Sequence, residues 1–119
     1  MSHIFVYGTL KKGFSNHGFL AGQKFLGPAR TLPGFVLYAL DGYPGMVARP
    51  ESPSSVTGEV WSVDDGCLEQ LDGLEGTAQG LYRREPVPLV GLFAGQRIEG
   101  YVYLQPVDSR TFFSATRLY

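Results

Sequence analysis

The sequence predicts an α+β domain in which many short strands are joined by turns and flanked by short helices. The 119 residues include 16 glycines and 8 prolines, and 13% of the residues are aromatic. This composition is typical of short strands separated by turns. One segment, beginning at Asp64 or Asp65, instead carries apolar residues at helical spacing. The length fits a single domain over residues 1–119 that buries roughly two thirds of its unfolded surface.

Charge and hydropathy exclude several classes of protein. The formal net charge is -1 and charged residues make up 18% of the chain, so we expect no basic face and no nucleic-acid partner. The sequence has no apolar run long enough to predict a membrane span, and residues 1–3 do not resemble the start of a signal peptide. Cys67 is the single cysteine. It cannot form an intramolecular disulfide, which favours a reducing, cytoplasmic location.

The stretch near the N-terminus predicts a buried strand that ends in a glycine-hinged loop. Residues 4–7 are all β-branched or aromatic, which is typical of a strand covered on both faces. Gly8 ends this run and, because it lacks a Cβ, permits positive φ or the close approach of a ligand. Thr9 adds a hydroxyl, and Gly13 follows as a second glycine. Such a loop can hold a carboxylate or an oxyanion on backbone N–H groups, or it can be a simple turn.

Short strands and turns are predicted between this loop and residue 55. In chain order, the segments are a short helix at 15–22, strands at 24–32 and 35–40, a turn at 41–45, a strand at 46–48 and an exposed loop at 51–55. We expect the strands at 24–32 and 35–40 to pair across the Pro33-Gly34 turn. His3 and His17 lack a third ligand at metal spacing, so we expect no metal site and no cofactor.

The middle of the chain contains one alternating strand and the clearest helix. Residues 56–63 predict a strand with Glu59 and Trp61 on one face, where a buried glutamate is costly unless it is paired. Glu59 therefore lies at a face open to water or in a polar site, and we favour a structural role. The following helix has an apolar stripe and should end near Gly73 or Gly76. The residues of the stripe are Cys67, Leu68, Leu71 and Leu74.

Glu75 is the candidate catalytic residue because of its place at the end of this helix. The negative end of the helix dipole disfavours an ionised carboxylate, and burial would raise the pKa of this carboxyl further. A glutamate of this kind can carry protons near neutral pH. Strands at 81–90 and 96–104 follow, the first at an edge or bulged because of Pro86 and Pro88. Residues 105–119 form a tail that packs back or frays.

Several segments, taken in this order, resemble a known family. They are Tyr7-Gly8-Thr9-Leu10 with Lys11 and Gly13, Tyr43-Pro44-Gly45, Gly58-Glu59-Val60, Leu71-Asp72-Gly73-Leu74-Glu75-Gly76 and Tyr82-x-Arg84-x-x-Val87. With these spacings the chain resembles the γ-glutamylcyclotransferase-like family over residues 4–104, particularly its γ-glutamylamine cyclotransferase branch. The resemblance implies a small mixed β-barrel of about six or seven strands flanked by short helices.

The resemblance also implies an activity and a set of site residues. The activity is cyclisation of the γ-glutamyl group of a γ-glutamyl amine or amino acid to 5-oxoproline, with release of the free amine. Glu75 would be the general acid/base and a small γ-glutamyl compound the partner, with no protein nucleophile because the substrate supplies its own amine. The implied substrate-binding residues are Tyr7, Gly8, Thr9, Leu10, Tyr82 and Arg84.

Two alternatives from other classes stay open. One is a non-catalytic barrel of the same fold that binds a small molecule without converting it. The other is a small barrel that binds single-stranded nucleic acid through stacking aromatic side chains, which the near-neutral charge disfavours because such grooves are positive.

Overall fold

The computed structural model describes residues 1–7, 17–40, 43–104 and 112–113, whose strands form two sheets. The larger sheet has the order β2-β5-β1-β7-β6 and consists of β1 (Ser2–Val6), β2 (Lys24–Arg30), β5 (Thr57–Val63), β6 (Tyr82–Pro86) and β7 (Glu99–Tyr103). The smaller sheet has the order β4-β3-β8 and consists of β3 (Phe35–Leu40), β4 (Tyr43–Ala48) and β8 (Phe112–Phe113). The helical elements are α1 (Asp65–Leu74) and short 3-10 turns at His17–Leu20, Thr77–Gln79 and Gly91–Phe93.

The first strand, β1, lies at the centre of the larger sheet. It pairs antiparallel with β5 on one side and parallel with β7 on the other. Ile4, Phe5 and Val6 are at most 1% exposed. Phe5 belongs to one apolar cluster, whereas Ile4 and Val6 belong to a second, because successive side chains of a strand point to opposite faces. The prediction of a strand buried on both faces is confirmed, and this strand leads directly to Tyr7.

The larger sheet is mixed and is not closed into a barrel by the ladders of the described residues, since β2 and β6 are its edge strands. The segments that continue these two edges nevertheless meet. Thr31 and Leu89 form an isolated antiparallel bridge, and the N–H of Leu32 donates to the carbonyl of Pro88 at 2.9 Å. The α+β class is confirmed, and the closed barrel stays a prediction.

The predicted pairing of residues 24–32 with residues 35–40 is wrong. β2 pairs with β5, whereas β3 pairs with β4 and β8. The reason lies in the connection between them. Gly34 has a φ of 115°, and its N–H donates to the carbonyl of Ser54 at 2.9 Å, so the chain turns into the second sheet and does not fold back along β2.

One boundary of the smaller sheet differs from the prediction. β4 begins at Tyr43, so residues 43–45 are strand where a turn was predicted, because they pair in register with residues 38–40 of β3. Residues 41–42 lie outside the described part of the chain. In the C-terminal tail, β8 pairs with Leu37 and Tyr38, which confirms that the tail packs back at this point.

The helix α1 follows its sequence signals. The Asp64 carboxylate accepts a hydrogen bond from the N–H of Cys67 at 2.7 Å, as an N-cap residue does. Cys67 and Leu71 are buried, and Gly76 adopts a left-handed conformation with φ 66° just beyond the helix. Glu75 is thus the C-cap residue. Within the described ranges, no helix is long and apolar enough to cross a membrane.

Candidate active site

Glu75, the candidate acid, is held at the end of α1. Its N–H donates to the carbonyl of Leu71 at 3.0 Å, so helical hydrogen bonding extends to this residue. Gly76 then turns the chain closely past Leu81, since a Cβ on Gly76 would lie 2.9 Å from Leu81 Cδ1. The Glu75 side chain is half-buried, and burial raises its pKa to about 7. A carboxyl with this pKa can both accept and donate a proton near neutral pH.

Glu75 shares its surroundings with tyrosines of the larger sheet. Burial raises the pKa of Tyr7 well above its usual value, and the charges of Tyr82 and Glu75 raise it further. Burial also raises the pKa of Tyr101, with smaller contributions from the hydrogen bond to Asp72 and from the charge of Glu75. Charges interact appreciably only over short distances. Tyr101 joins the two elements directly, since its hydroxyl donates to Asp72 of α1 and its carbonyl accepts from Tyr7. The end of α1 is thus linked to the end of β1, where Tyr7 precedes the predicted binding loop.

The Tyr7 hydroxyl is engaged by two backbone groups. It donates a hydrogen bond to the Tyr101 carbonyl at 2.7 Å and accepts one from the N–H of Met46 at 3.0 Å. Met46 belongs to β4 and Tyr101 to β7, so this hydroxyl connects the two sheets. Its single O–H is used within the protein. We therefore expect the Tyr7 hydroxyl to hold the two sheets together beside the site. Its role in substrate binding stays a prediction.

Tyr82 and Arg84 lie two residues apart on β6, and therefore on the same face of the strand, but make different contacts. Tyr82 is 5% exposed, and its ring packs edge to face against Tyr103, with centroids 5.2 Å apart. The Arg84 guanidinium forms ion pairs with Asp72 at 3.0 Å and Glu99 at 2.6 Å. An open cleft of about 370 Å³ passes over this region. Its lining residues are Asp72, Thr77, Tyr82, Arg83, Arg84 and Leu104.

Asp72 and Tyr101 are site neighbours that sequence reasoning missed. The Tyr101 hydroxyl donates to Asp72 Oδ1 at 2.6 Å. Arg84 donates to both carboxylate oxygens, from Nε at 3.0 Å and from Nη2 at 3.3 Å. One signal for Asp72 is present in the sequence: it stands three residues before Glu75, and residues at this spacing are neighbours on a helix surface.

Hydrogen bonds join Arg84 through Asp72 to Tyr101, whose backbone carbonyl accepts from Tyr7; Glu75 and Tyr82 act on the ionisation of Tyr7. Gly8, Thr9 and Leu10, the predicted backbone donors, lie outside the described residues, so their role stays a prediction. In the described ranges, no group of three or more His, Cys, Asp or Glu side chains is placed to hold a metal ion.

Comparison with known proteins gives consistent matches over most of the chain. A family model described as gamma-glutamyl cyclotransferase, AIG2-like, matches residues 4–115. The chain is 37% identical over 107 residues to a proposed gamma-glutamylcyclotransferase of Methanocaldococcus jannaschii, covering 89% of this chain and 86% of that relative. It is 38% identical over 109 residues to gamma-glutamylaminecyclotransferase A of Danio rerio, covering 85% and 67%. The crystal structure of an AIG2-like protein of Mus musculus superposes with a TM-score of 0.74 at 28% identity, covering 93% and 82%.

Proposed function

Because this chain belongs to the gamma-glutamyl cyclotransferase, AIG2-like family, we propose that it converts a γ-glutamyl amine or amino acid to 5-oxoproline and the free amine. Family membership confirms the resemblance carried by the sequence motifs. The names of two relatives, a gamma-glutamylcyclotransferase and a gamma-glutamylaminecyclotransferase, support this range of substrates. The proposed enzyme uses one small γ-glutamyl substrate.

The proposed reaction needs no nucleophile from the protein. The α-amine of the substrate attacks its own γ-carbonyl carbon and forms a five-membered lactam. The bond from this carbon to the departing nitrogen breaks, its electron pair stays on that nitrogen, and the nitrogen takes up a proton. Because both reacting groups belong to one molecule, holding the substrate in a folded conformation supplies a large part of the rate enhancement.

We assign Glu75 as the proton carrier of this reaction. Ionised, it takes a proton from the α-ammonium group; protonated, it gives that proton to the departing amine. The observation that carries the assignment is its half-buried place at the end of α1, where burial raises its pKa to about 7. General acid–base catalysis by a positioned side chain is usually worth about 10²- to 10⁴-fold in rate.

The oxyanion formed during ring closure needs hydrogen-bond donors, and we assign the backbone N–H groups of Gly8, Thr9 and Leu10 to this role. The assignment is supported by the fixed position of Tyr7, the residue that precedes them in the chain. Removal of one donor of this kind typically costs about 3 kcal/mol of transition-state stabilisation.

Tyr82 and Arg84 complete the proposed site. Tyr82 is largely buried and lines the cleft beside Arg84, which supports a role in orienting the substrate or Glu75. Arg84 reaches the site through Asp72 and contributes a cation at its margin. We also propose that the larger sheet closes into a barrel. The bridge between Thr31 and Leu89, which continue its two edge strands, supports this closure.

The experiment is to incubate the purified protein with a panel of γ-glutamyl compounds and to follow 5-oxoproline by mass spectrometry. The panel should include γ-glutamyl amines, a γ-glutamyl-ε-lysine and γ-glutamyl amino acids. We expect stoichiometric release of 5-oxoproline and amine from at least one of these classes. Saturable binding without any 5-oxoproline would instead assign the chain to the non-catalytic alternative.

A further inference from the structure

We propose that the hydrogen bond from the Tyr101 hydroxyl to the Asp72 carboxylate positions Glu75 against the end of β1. This inference rests on the proposed function and adds two positioning residues to it. Neither side chain needs to touch the substrate. They would act by holding the helix that carries Glu75 in a fixed place relative to Tyr7, the residue that follows β1.

Asp72 is fixed by groups from two neighbouring strands. Tyr101 of β7 donates to Oδ1 at 2.6 Å, and Arg84 of β6 donates to both oxygens at 3.0 and 3.3 Å. Arg84 is itself held by Glu99, which accepts from Nη1 at 2.6 Å. The side chains of Asp72 and Arg84 are 28% and 27% exposed. Charge-assisted bonds that are largely shielded from water are stronger than exposed ones, so this network can hold α1 on the sheet.

Asp72 also forms a hydrogen bond across the turn that contains Glu75. Its backbone carbonyl accepts a hydrogen bond from the Thr77 hydroxyl at 3.2 Å. Glu75 therefore lies between two residues that are bonded to each other, and its own N–H is bonded to Leu71. When Asp72 is fixed on the sheet, the backbone of Glu75 is fixed with it.

Tyr101 connects this helix end to the opening strand. Its side chain reaches Asp72, while its backbone carbonyl accepts the hydrogen bond from Tyr7 at 2.7 Å. Tyr101 is 2% exposed and belongs to the same apolar cluster as Leu71, so water has little access to replace its bond. A misplacement of a catalytic group by about 1 Å can cost about 10²-fold in rate. A residue that contacts both halves of the site is well placed to prevent such a shift.

The test compares Tyr101→Phe and Asp72→Asn with the wild type. We expect kcat to fall by about 10- to 100-fold in each variant, while KM changes by less than about 3-fold. A second measurement follows the Glu75 carboxyl by carbon-13 NMR as a function of pH. Because a loosened helix end admits water, we expect the pKa of Glu75 to fall from about 7 toward its ordinary value of 4.5.

Two controls separate positioning from a loss of stability. Thr31→Val removes one buried hydrogen bond outside the network, in which the Thr31 hydroxyl accepts from the N–H of Val56 at 2.9 Å. Arg30→Gln changes an exposed arginine of β2, at the opposite edge of the larger sheet from β6, and is the matched control for Arg84→Gln. We expect both controls to keep the wild-type kcat and the raised pKa of Glu75, and Arg84→Gln to lose kcat.

The outcomes distinguish the two proposals. A wild type that forms no 5-oxoproline overturns the proposed function, and the titration of Glu75 then decides the positioning role alone. A lowered pKa of Glu75 in Tyr101→Phe and Asp72→Asn supports that role. If turnover and this pKa both match the wild type in these two variants, or if Thr31→Val shows the same losses, the positioning role is overturned.

Discussion

The hydroxyl of Tyr7 donates a hydrogen bond to the backbone carbonyl of Tyr101 at 2.7 Å. This bond joins residues 94 positions apart in the chain, at the end of the parallel pair formed by β1 and β7. Since the same hydroxyl also accepts from the N–H of Met46 in the smaller sheet, one side chain holds both sheets where the candidate site begins.

We expect Tyr7→Phe to destabilise the protein more than it impairs substrate binding. The substitution leaves the buried Tyr101 carbonyl and Met46 N–H without this partner, which should lower the free energy of unfolding by about 1–3 kcal/mol. Urea denaturation measures this loss, and steady-state kinetics should show a KM close to that of the wild type. A variant of unchanged stability but greatly raised KM would instead assign the hydroxyl to the substrate.

The dependence of kcat/KM on pH should report the ionisation of Glu75. In the proposed mechanism Glu75 must be ionised to take a proton from the substrate, so the rate should rise with pH through an apparent pKa of about 7. Tyr7 and Tyr101 stay neutral over this range because burial raises their pKa values. If kcat/KM instead rose with pH through an apparent pKa near 4.5, the ordinary value for a glutamate, the acting carboxyl would be an exposed one.

Burial of Glu75 should also make folding stability depend on pH. The folded protein keeps the Glu75 proton up to about pH 7, whereas the unfolded chain releases it near pH 4.5. The unfolded state thus binds fewer protons between these values, so stability falls as pH rises, by about 3 kcal/mol in total. Glu75→Gln should lose this dependence and be more stable than the wild type at pH 8. Equal pH dependence of unfolding in both proteins would contradict the burial of this carboxyl.

Gly58 in β5 should not tolerate a side chain. A Cβ at this position would overlap the backbone carbonyl oxygen of Val6 and lie 2.8 Å from Cζ of Phe5. We expect Gly58→Ala to lower the free energy of unfolding by about 3 kcal/mol or more, as overpacking against backbone does.

The matched control is Gly73→Ala, because a Cβ on Gly73 meets no atom within 4 Å. Alanine in a helix is favoured over glycine, so this variant should gain about 0.5–1 kcal/mol. Thermal or urea unfolding of the two variants measures both effects. A Gly58→Ala protein as stable as the wild type would show that β5 and β1 can separate to accommodate a methyl group.

Local signals made part of the fold predictable from the sequence. Each end of α1 is marked by a residue next to it in the chain: Asp64 caps its start, and Gly76 follows its end. Strand pairing depends on distant partners. Residues 24–30 pair with β5 and not with the adjacent strand, and no local signal identifies β5 as that partner.

The strand at residues 56–63 shows the same limit. Its alternation predicts two distinct faces, yet Trp61, Ser62 and Val63 are all buried, because both faces of β5 are covered: Val60 belongs to one apolar cluster, and Trp61 and Val63 belong to the other. The sequence did predict that Glu59 would need a partner if it lay in the strand beside Trp61. In the structure, Trp61 Nε1 donates to the Glu59 carboxylate at 3.1 Å.

The candidate site was predictable where its residues have a local reason for their place. Glu75 has such a reason, since it stands between a helix and the glycine that ends it. The bond between Tyr101 and Asp72 joins residues 29 positions apart and forms only because β7 passes beside α1. The sequence around either residue does not indicate that contact, so this part of the site became visible only in the structure.

The most direct test of the account compares release of 5-oxoproline by the wild type, Glu75→Gln and Glu69→Gln on the best substrate of the panel. Glu69 is the matched control because it is an exposed glutamate of the same helix. We predict that Glu69→Gln keeps the wild-type rate, and that Glu75→Gln binds substrate but loses at least about 10²-fold in turnover. Release of 5-oxoproline by Glu75→Gln at the wild-type rate would contradict the assignment of Glu75 as the general acid/base.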